Sequence, residues 1–243
     1  MEKEIILKTT ADGSFTIYVP ELDEHYHSMN GAVQESQHVY LSAGLSHYIR
    51  TNYPINRFND IESQVEIRML EFGFGTGLNA YLSALEAEKK KIRIRYVALE
   101  KFPLVEEITN RLNYSTENRL LFQDIHQSAW EVSISITPYF ILQKLAIDFI
   151  AFDFPDRYDV VYYDAFAPDK QPEVWSTELF KKLFSSMNLN GILTTYCAKG
   201  SIRRMMQQAG FTVERIPGAL GKREMLRANV LDNSDSDEER KEC

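Results

Sequence analysis

Cysteine is almost absent from this sequence: the 243 residues hold two, Cys197 and Cys243. Two cysteines, one of them the last residue, make neither a disulfide framework nor a zinc set. Histidine is sparse too, with five (His25, His27, His38, His47 and His126). Only His25 and His27 stand close together, and no partner set surrounds them, so no metal site is expected. The order of residues offers no Ser-His-Asp arrangement for nucleophilic catalysis. No run of about 18 apolar residues occurs, so no membrane-spanning helix is expected. The start, Met1-Glu2-Lys3-Glu4, lacks the basic and then apolar order of a secretory signal. A reduced, cytoplasmic protein is the natural expectation.

What is present is enough for a sizeable core: 44% of the residues are hydrophobic. The length fits one domain, or one domain with an extension. The net charge of −8 is unevenly spread. Residues 231–243 carry six acids and two bases, half of the net negative charge, and such a composition cannot bury apolar surface. The stretch 197–227 is the opposite. Lys199, Arg203, Arg204, Arg215, Lys222, Arg223 and Arg227 outnumber Glu214 and Glu224, a local patch able to attract phosphates within an acidic protein.

The chain divides into an extension over 1–62, a main domain over 63–230 and an acidic tail over 231–243. In the extension, residues 5–19 alternate around Asp12-Gly13 and predict a hairpin. Residues 36–50 predict a helix with Val39, Leu41, Leu45, Tyr48 and Ile49 near one side. Pro54 and the polar residues to Ser63 mark the boundary. In the main domain, strands are predicted at 66–71, 92–99, 141–149, 158–163, 191–197, 211–216 and 224–230. Helices are predicted after Gly77, at 104–112, 176–187 and 201–209, the last stopped by Gly210. Alternating strands and helices imply a doubly wound α/β fold with a mostly parallel sheet. The closing strand pair, with no helix between, adds an antiparallel member.

Between the first of these strands and its helix runs Glu71-Phe72-Gly73-Phe74-Gly75-Thr76-Gly77-Leu78-Asn79. Gly73, Gly75 and Gly77 permit a tight turn and close approach of backbone, Phe74 included, to a ligand at the helix N-terminus. The spacing is not that of a dinucleotide fingerprint. Glu71, at the strand's carboxyl end, would repel a pyrophosphate but suits a cationic ligand with an amino group. That favours S-adenosylmethionine as cofactor. Glu100, ending the next strand, can accept both ribose hydroxyls. Asp148 and Phe149 can bond the adenine amino group and cover the ring. Asp124 competes for the first role, because 113–140 is hard to register. Asp164, delivered by the fourth strand, should face the same crevice and can orient an attacking amine and take its proton. The turn Pro168-Asp169-Lys170-Gln171-Pro172 can fence a substrate.

With those residues in view, the chain resembles the methyltransferase domain of the MnmC family of tRNA wobble-uridine modification enzymes. The likeness rests on four blocks. These are Asp23-Glu24-His25-Tyr26-His27-Ser28 with Gly31-Ala32 and Glu35-Ser36; the glycine loop through Asn79; Asp164 through Trp175; and Arg203-Arg204 with Gly210-Phe211 and Gly221 through Leu226. The resemblance implies a class I methyltransferase sheet. It implies methylation of the primary amine of 5-aminomethyl-(2-thio)uridine at tRNA position 34. By this likeness Glu71, Gly73, Asn79, Glu100, Lys101 and Asp148 line the cofactor, and Asp164 and Phe166 face the amine. His25, Tyr26, His27, Ser28, Glu35 and Ser36 close over the site. Lys199, Arg203, Arg204, Lys222 and Arg223 are the candidates for tRNA contact, with Lys170 at the rim. Bifunctional relatives add an FAD-dependent oxidase domain whose fingerprint is missing here, so the chain resembles a stand-alone type. Its substrate would then come from the upstream enzymes that install the aminomethyl group. Alternatives are a methyltransferase of a small-molecule or protein amine, an NAD-dependent oxidoreductase, and a non-catalytic tRNA-binding module.

Overall fold

The computed structural model describes residues 5–53, 65–114 and 117–232. The expected boundary at 54–63 and residues 233–243 of the expected tail lie outside them. Among the described residues, no helix is long and apolar enough to cross a membrane.

The hairpin forms as expected. β1 (Ile6–Thr9) and β2 (Phe15–Val19) pair antiparallel, and a short β3 (Glu24–His25) adds to β2. Gly13 takes the positive φ of +82° that its turn needs. The predicted helix is longer and less regular than its period suggested. α1 runs over 32–52 as an α-helical turn (Ala32–Ser36), a π-helical segment (Gln37–Leu45) and an α-helical end (Ser46–Asn52). The wider π turn shifts the inward face. Tyr40 becomes buried with Val39, Leu45, Tyr48 and Ile49, while Leu41 is only half-buried.

The main sheet has eight strands in the order β10-β11-β9-β8-β4-β5-β7-β6. They are β4 (Glu66–Phe72), β5 (Arg93–Leu99), β6 (Ser133–Thr137), β7 (Phe140–Leu145), β8 (Tyr158–Tyr163), β9 (Met187–Thr195), β10 (Thr212–Pro217) and β11 (Glu224–Asn229). β9, β8, β4, β5 and β7 run parallel. β11 is antiparallel to both β9 and β10, which is the expected antiparallel member. The sequence reading missed β6, which pairs antiparallel with β7 at the far edge. It also missed a helix between β5 and β6, Arg119–Gln127, whose N-cap Asn118 accepts from Leu121 N. The helix expected at 104–112 is one turn, Glu106–Thr109.

Alternate residues of β4 serve two cores. Ile67 and Met69 join a cluster with Val39, Tyr81 and Phe122 on one face. Leu70 and Phe72 join another with Phe180, Leu183 and Met206 on the opposite face. Burial of each such side chain stabilises the fold by about 1.5–3 kcal/mol. α1 packs on the sheet beside β8 and β9. The further α-helices are α2 (Leu78–Lys90), α3 (Glu106–Thr109), α4 (Arg119–Gln127), α5 (Thr177–Ser185) and α6 (Gly200–Gln208). Strand order reverses between β4 and β8, the place where such sheets open a crevice at their carboxyl edge.

Candidate active site

The crevice is built by residues that follow strand ends. Gly73 follows β4, Glu100 follows β5 and Asp164 follows β8. Backbone bonds extend the ladder into these loops. Gly73 N and Phe74 N both donate to Leu99 O at 3.0 Å, and Asp164 N donates to Phe72 O at 3.0 Å. Gly73 has a φ of +91°, and a Cβ there would stand 2.6 Å from the backbone oxygen of Asp164. Glycine is therefore required where the two loops cross.

A cavity of about 1060 Å³ opens here, at the upper end of the range for ligand sites. One end is walled by Gly73, Phe74, Gly75, Glu100, Phe102 and Phe149. Glu100 is nearly buried and is fixed in place: Oε2 accepts from Gly75 N at 3.0 Å and Oε1 from Phe102 N at 2.8 Å. A carboxylate held in this way at the cavity wall is of the kind that accepts hydroxyl groups. Lys101 also lines this end, and its ammonium donates to Asp148 Oδ2 at 2.7 Å. Asp148 stands beyond β7, not within the strand expected to 149. It caps a 3₁₀ turn, Phe149–Ala151, by accepting from Ile150 N, and Lys101 holds its carboxyl below the usual carboxylate range. Asp148 reaches the cavity wall only through its neighbours Lys101 and Phe149. Asp124 is exposed on α4 and lines neither this cavity nor a smaller one of about 370 Å³ beyond Phe74.

The opposite end is made of side chains from distant parts of the chain. Asp164 Oδ1 accepts from the Tyr40 hydroxyl at 2.6 Å, and Oδ2 accepts from Asn79 Nδ2 at 2.9 Å. Burial pushes the Asp164 carboxyl up to about 7, although both hydrogen bonds pull it down. Phe166 lies beside it, edge-on to Tyr26 with ring centroids 5.2 Å apart. Glu35, buried on α1, accepts from Ser28 N at 2.7 Å and from the Lys222 ammonium at 2.7 Å. Lys222 lies 4.3 Å over the Tyr196 ring.

The segment carrying His25, Tyr26, His27 and Ser28 forms part of the same wall. His27 anchors it, its Nε2 2.7 Å from Thr76 Oγ1 of the glycine loop, and burial lowers its pKa to about 4, so the ring is neutral. A Cβ on Gly75 would meet the Tyr26 ring at 2.9 Å, so this glycine lets the segment sit close to the loop.

Several expected site residues are placed elsewhere. Glu71 is completely buried beneath the loop and does not line the cavity, because alternation along β4 turns it into the core. Gly77 starts α2 next to His126, outside the cavity. Ser36 is buried in α1 without a hydrogen-bond partner among the described residues. The basic stretch is partly neutralised: Lys199 pairs with Asp169, Arg215 with Glu224, Lys222 with Glu35 and Arg227 with Glu214. Arg203, Arg204 and Arg223 make no ion pair with a described residue, and Arg204 and Arg223 are exposed. Lys170 lines the cavity and lies 3.9 Å from Asp23. Sequence reasoning overlooked Tyr40, Tyr196 and the apolar wall of Leu104, Val105 and Ile108. Tyr40 lies 124 positions from the carboxylate it holds, a pairing no local pattern announces. No group of three or more metal-ligating side chains is arranged to hold an ion among the described residues.

The residues present fit S-adenosylmethionine. Glycine backbone, a carboxylate for hydroxyls and an aromatic wall stand at one end, and a partly protonated acid stands at the other.

Three comparisons place this geometry among known proteins. The profile of a family described as S-adenosyl-L-methionine-dependent methyltransferase matches residues 93–230. The chain is 28% identical over 225 residues to the tRNA 5-methylaminomethyl-2-thiouridine biosynthesis bifunctional protein MnmC of Leptospira interrogans, covering 88% of this chain and 33% of that protein. It is 29% identical over 226 residues to the protein of the same name from Idiomarina loihiensis, covering 86% and 36%. The chain thus spans about a third of the length of the curated relatives it matches. The crystal structure of MnmC2 from Aquifex aeolicus superposes with a TM-score of 0.77 at 23% identity, covering 99% of this chain and 76% of that one, which shows a shared fold. A cavity at the switch point of a mostly parallel sheet and a profile match over more than half the length agree: this chain belongs to the S-adenosyl-L-methionine-dependent methyltransferase family.

Proposed function

We propose that this chain methylates the primary amine of 5-aminomethyl-(2-thio)uridine at position 34 of tRNA. The observation that carries the reading is Asp164, gripped by Tyr40 and Asn79 in the wall of the cofactor cavity, with its carboxyl raised to about 7. The names of the curated relatives, which refer to biosynthesis of tRNA 5-methylaminomethyl-2-thiouridine, supply the substrate class.

S-adenosylmethionine, when bound, supplies a methyl carbon on a cationic sulfur. Glu100 holds the ribose hydroxyls, Lys101 and Phe149 border the adenine, and the glycine loop passes its backbone along the donor. At the other end Phe166 and Tyr26 pack against the uracil ring, and Asp164 orients the aminomethyl nitrogen. An amine attacks only in its neutral form, and positioning supplies much of the rate. As the new N–C bond forms and the methyl carbon–sulfur bond breaks, leaving its electron pair on sulfur, Asp164 accepts the proton that nitrogen loses, a role suited to an acid titrating near the working pH. Arg203, Arg204 and Arg223 contact tRNA phosphates, with Lys170 at the rim. The aminomethyl group must be installed beforehand by other enzymes of the same modification.

The test is incubation with S-adenosylmethionine and tRNA bearing the unmethylated aminomethyl base, followed by mass analysis of the nucleosides. A gain of one methyl on that nucleoside is expected. Methylation of free small amines with none on the tRNA would overturn the substrate assignment.

A further inference from the structure

Buried polar atoms in folded proteins nearly always have a partner, so a cluster of exceptions calls for an explanation. Four of them fall together behind the amine end of the cavity: both carboxyl oxygens of Glu71, Asn79 Oδ1 and the Tyr96 hydroxyl. Glu71 lies in the middle of the sheet on β4, fully buried, with its carboxyl beside the Asn79 amide and the Tyr96 hydroxyl. It makes no ion pair with a described residue. The charged or titratable groups around it are Asp164 at the end of β8, Glu100 at the end of β5, Tyr96 on β5 and Tyr162 on β8. Beyond Asp164 stand Tyr40, Glu35 and Lys222. The ammonium of Lys222 is already paired with Glu35, so it does not compensate a charge on Glu71.

An ionised carboxylate sealed among other acids with no cation carries a large desolvation cost. The bonding of Asn79 points the same way. Its Nδ2 donates to Asp164 and makes no hydrogen bond to Glu71, while its Oδ1 has no partner among the described residues. Two neighbouring acceptors cannot satisfy one another, whereas a proton on Glu71 can be donated to the Asn79 oxygen. The same proton leaves the other carboxyl oxygen free to accept from Tyr96.

We propose that Glu71 is a neutral carboxylic acid that positions Asn79, and through it Asp164, and does not touch the methyl donor. It is a positioning residue: Glu71 donates to Asn79 Oδ1, which fixes the amide so that Nδ2 points at the proton acceptor. Asp164 is then free to carry the negative charge of this pair of acids. Burial raises the Glu71 carboxyl well above the usual range; the contacts with Asn79 and Tyr96 oppose this, and Asp164 and Glu100 add to it. The inference rests on the reading of Asp164 as the acceptor, but its first two tests do not involve turnover.

At pH 9, where Asp164 is ionised, infrared difference spectra between the wild type and Glu71→Gln should show a protonated-carboxyl band that the variant lacks. Glu71→Gln should also bind S-adenosylmethionine with wild-type affinity in calorimetry. In methyl transfer, Glu71→Gln keeps a donor in place and should retain roughly tenfold more activity than Glu71→Leu, the cost of a lost buried hydrogen bond. The pH profile of Glu71→Leu should be displaced, which a mere packing defect would not do. Absence of the band, or a tenfold loss of cofactor affinity in Glu71→Gln, would overturn the proposal. If instead the tRNA is not the substrate, the band and the cofactor affinity still report on Glu71.

Discussion

The two ends of the cavity are built in opposite ways. The cofactor end draws on short stretches at successive strand ends, around Gly73, Glu100 and Phe149, and much of its contact surface is backbone. The amine end gathers side chains from across the chain: Tyr26 and Glu35 before the sheet begins, Tyr40 in a π-helical turn, Asp164 in the middle, Lys222 near the close. The first end depends on loop geometry inherent in the doubly wound fold and admits one donor. The second depends on long-range packing, and in the proposed function it sets the substrate. Two substitutions should separate them, and each variant below asks whether the ends are as independent as their construction implies.

The largest effect belongs to Asp164→Ala. Turnover should fall by about 10²–10⁴, the usual worth of a positioned acid or base, while calorimetric affinity for S-adenosylmethionine stays within about threefold. Parallel loss of cofactor binding would break the division between the ends. Glu100→Ala should do the reverse. It removes the acceptor at the cofactor end and the anchor for Gly75 N and Phe102 N. Affinity for the donor should drop by roughly 10–100-fold, with turnover at saturating donor much less affected. Charge reversal at Arg203 and Arg204 lies outside both ends. It should weaken tRNA binding and flatten its salt dependence by about 0.7 per lost single-strand contact, with donor affinity unchanged. An unchanged salt slope would remove this face from the tRNA contact.

The smallest effect concerns stability. Asp164 has a folded-state pKa of about 7 against an ordinary value of 3.8. The folded state therefore holds its proton more tightly than the unfolded state. The associated stability is fully present below about pH 4 and is lost as pH rises through 7. Asp164→Asn removes this dependence and should raise Tm at pH 8 but not at pH 4, by about 2–4 °C for each kcal/mol recovered. Equal shifts at both pH values would mean that Asp164 is not destabilised by burial.

The same contrast explains what could be read from the sequence. The glycine loop, Glu100 and Asp164 were legible because each sits directly after an apolar strand, and strand order and crevice position follow from alternation of elements. The strands at 66–72, 93–99 and 158–163 were placed to within a residue or so at each end. Between β5 and β7 the reading failed. The helix Arg119–Gln127 and the edge strand Ser133–Thr137 lack strong local punctuation, and the strand Ser133–Thr137 is secured by pairing with β7. Glu71 was expected at the cofactor because it precedes the glycines. Side-chain alternation along β4, seen only once the two cores are assigned, turns it inward. Tyr40 was invisible for a further reason: a regular helix would present Leu41, and only the π turn brings Tyr40 round to Asp164.

The central claim is that Asp164 is the proton acceptor at the amine end. It is tested most directly by the pH dependence of single-turnover methyl transfer to tRNA at saturating donor, in the wild type and in Asp164→Asn. The wild-type rate should rise with pH and break near 7, where the Asp164 carboxyl titrates. The variant should be slow and lack that break. The same break in Asp164→Asn would contradict the account.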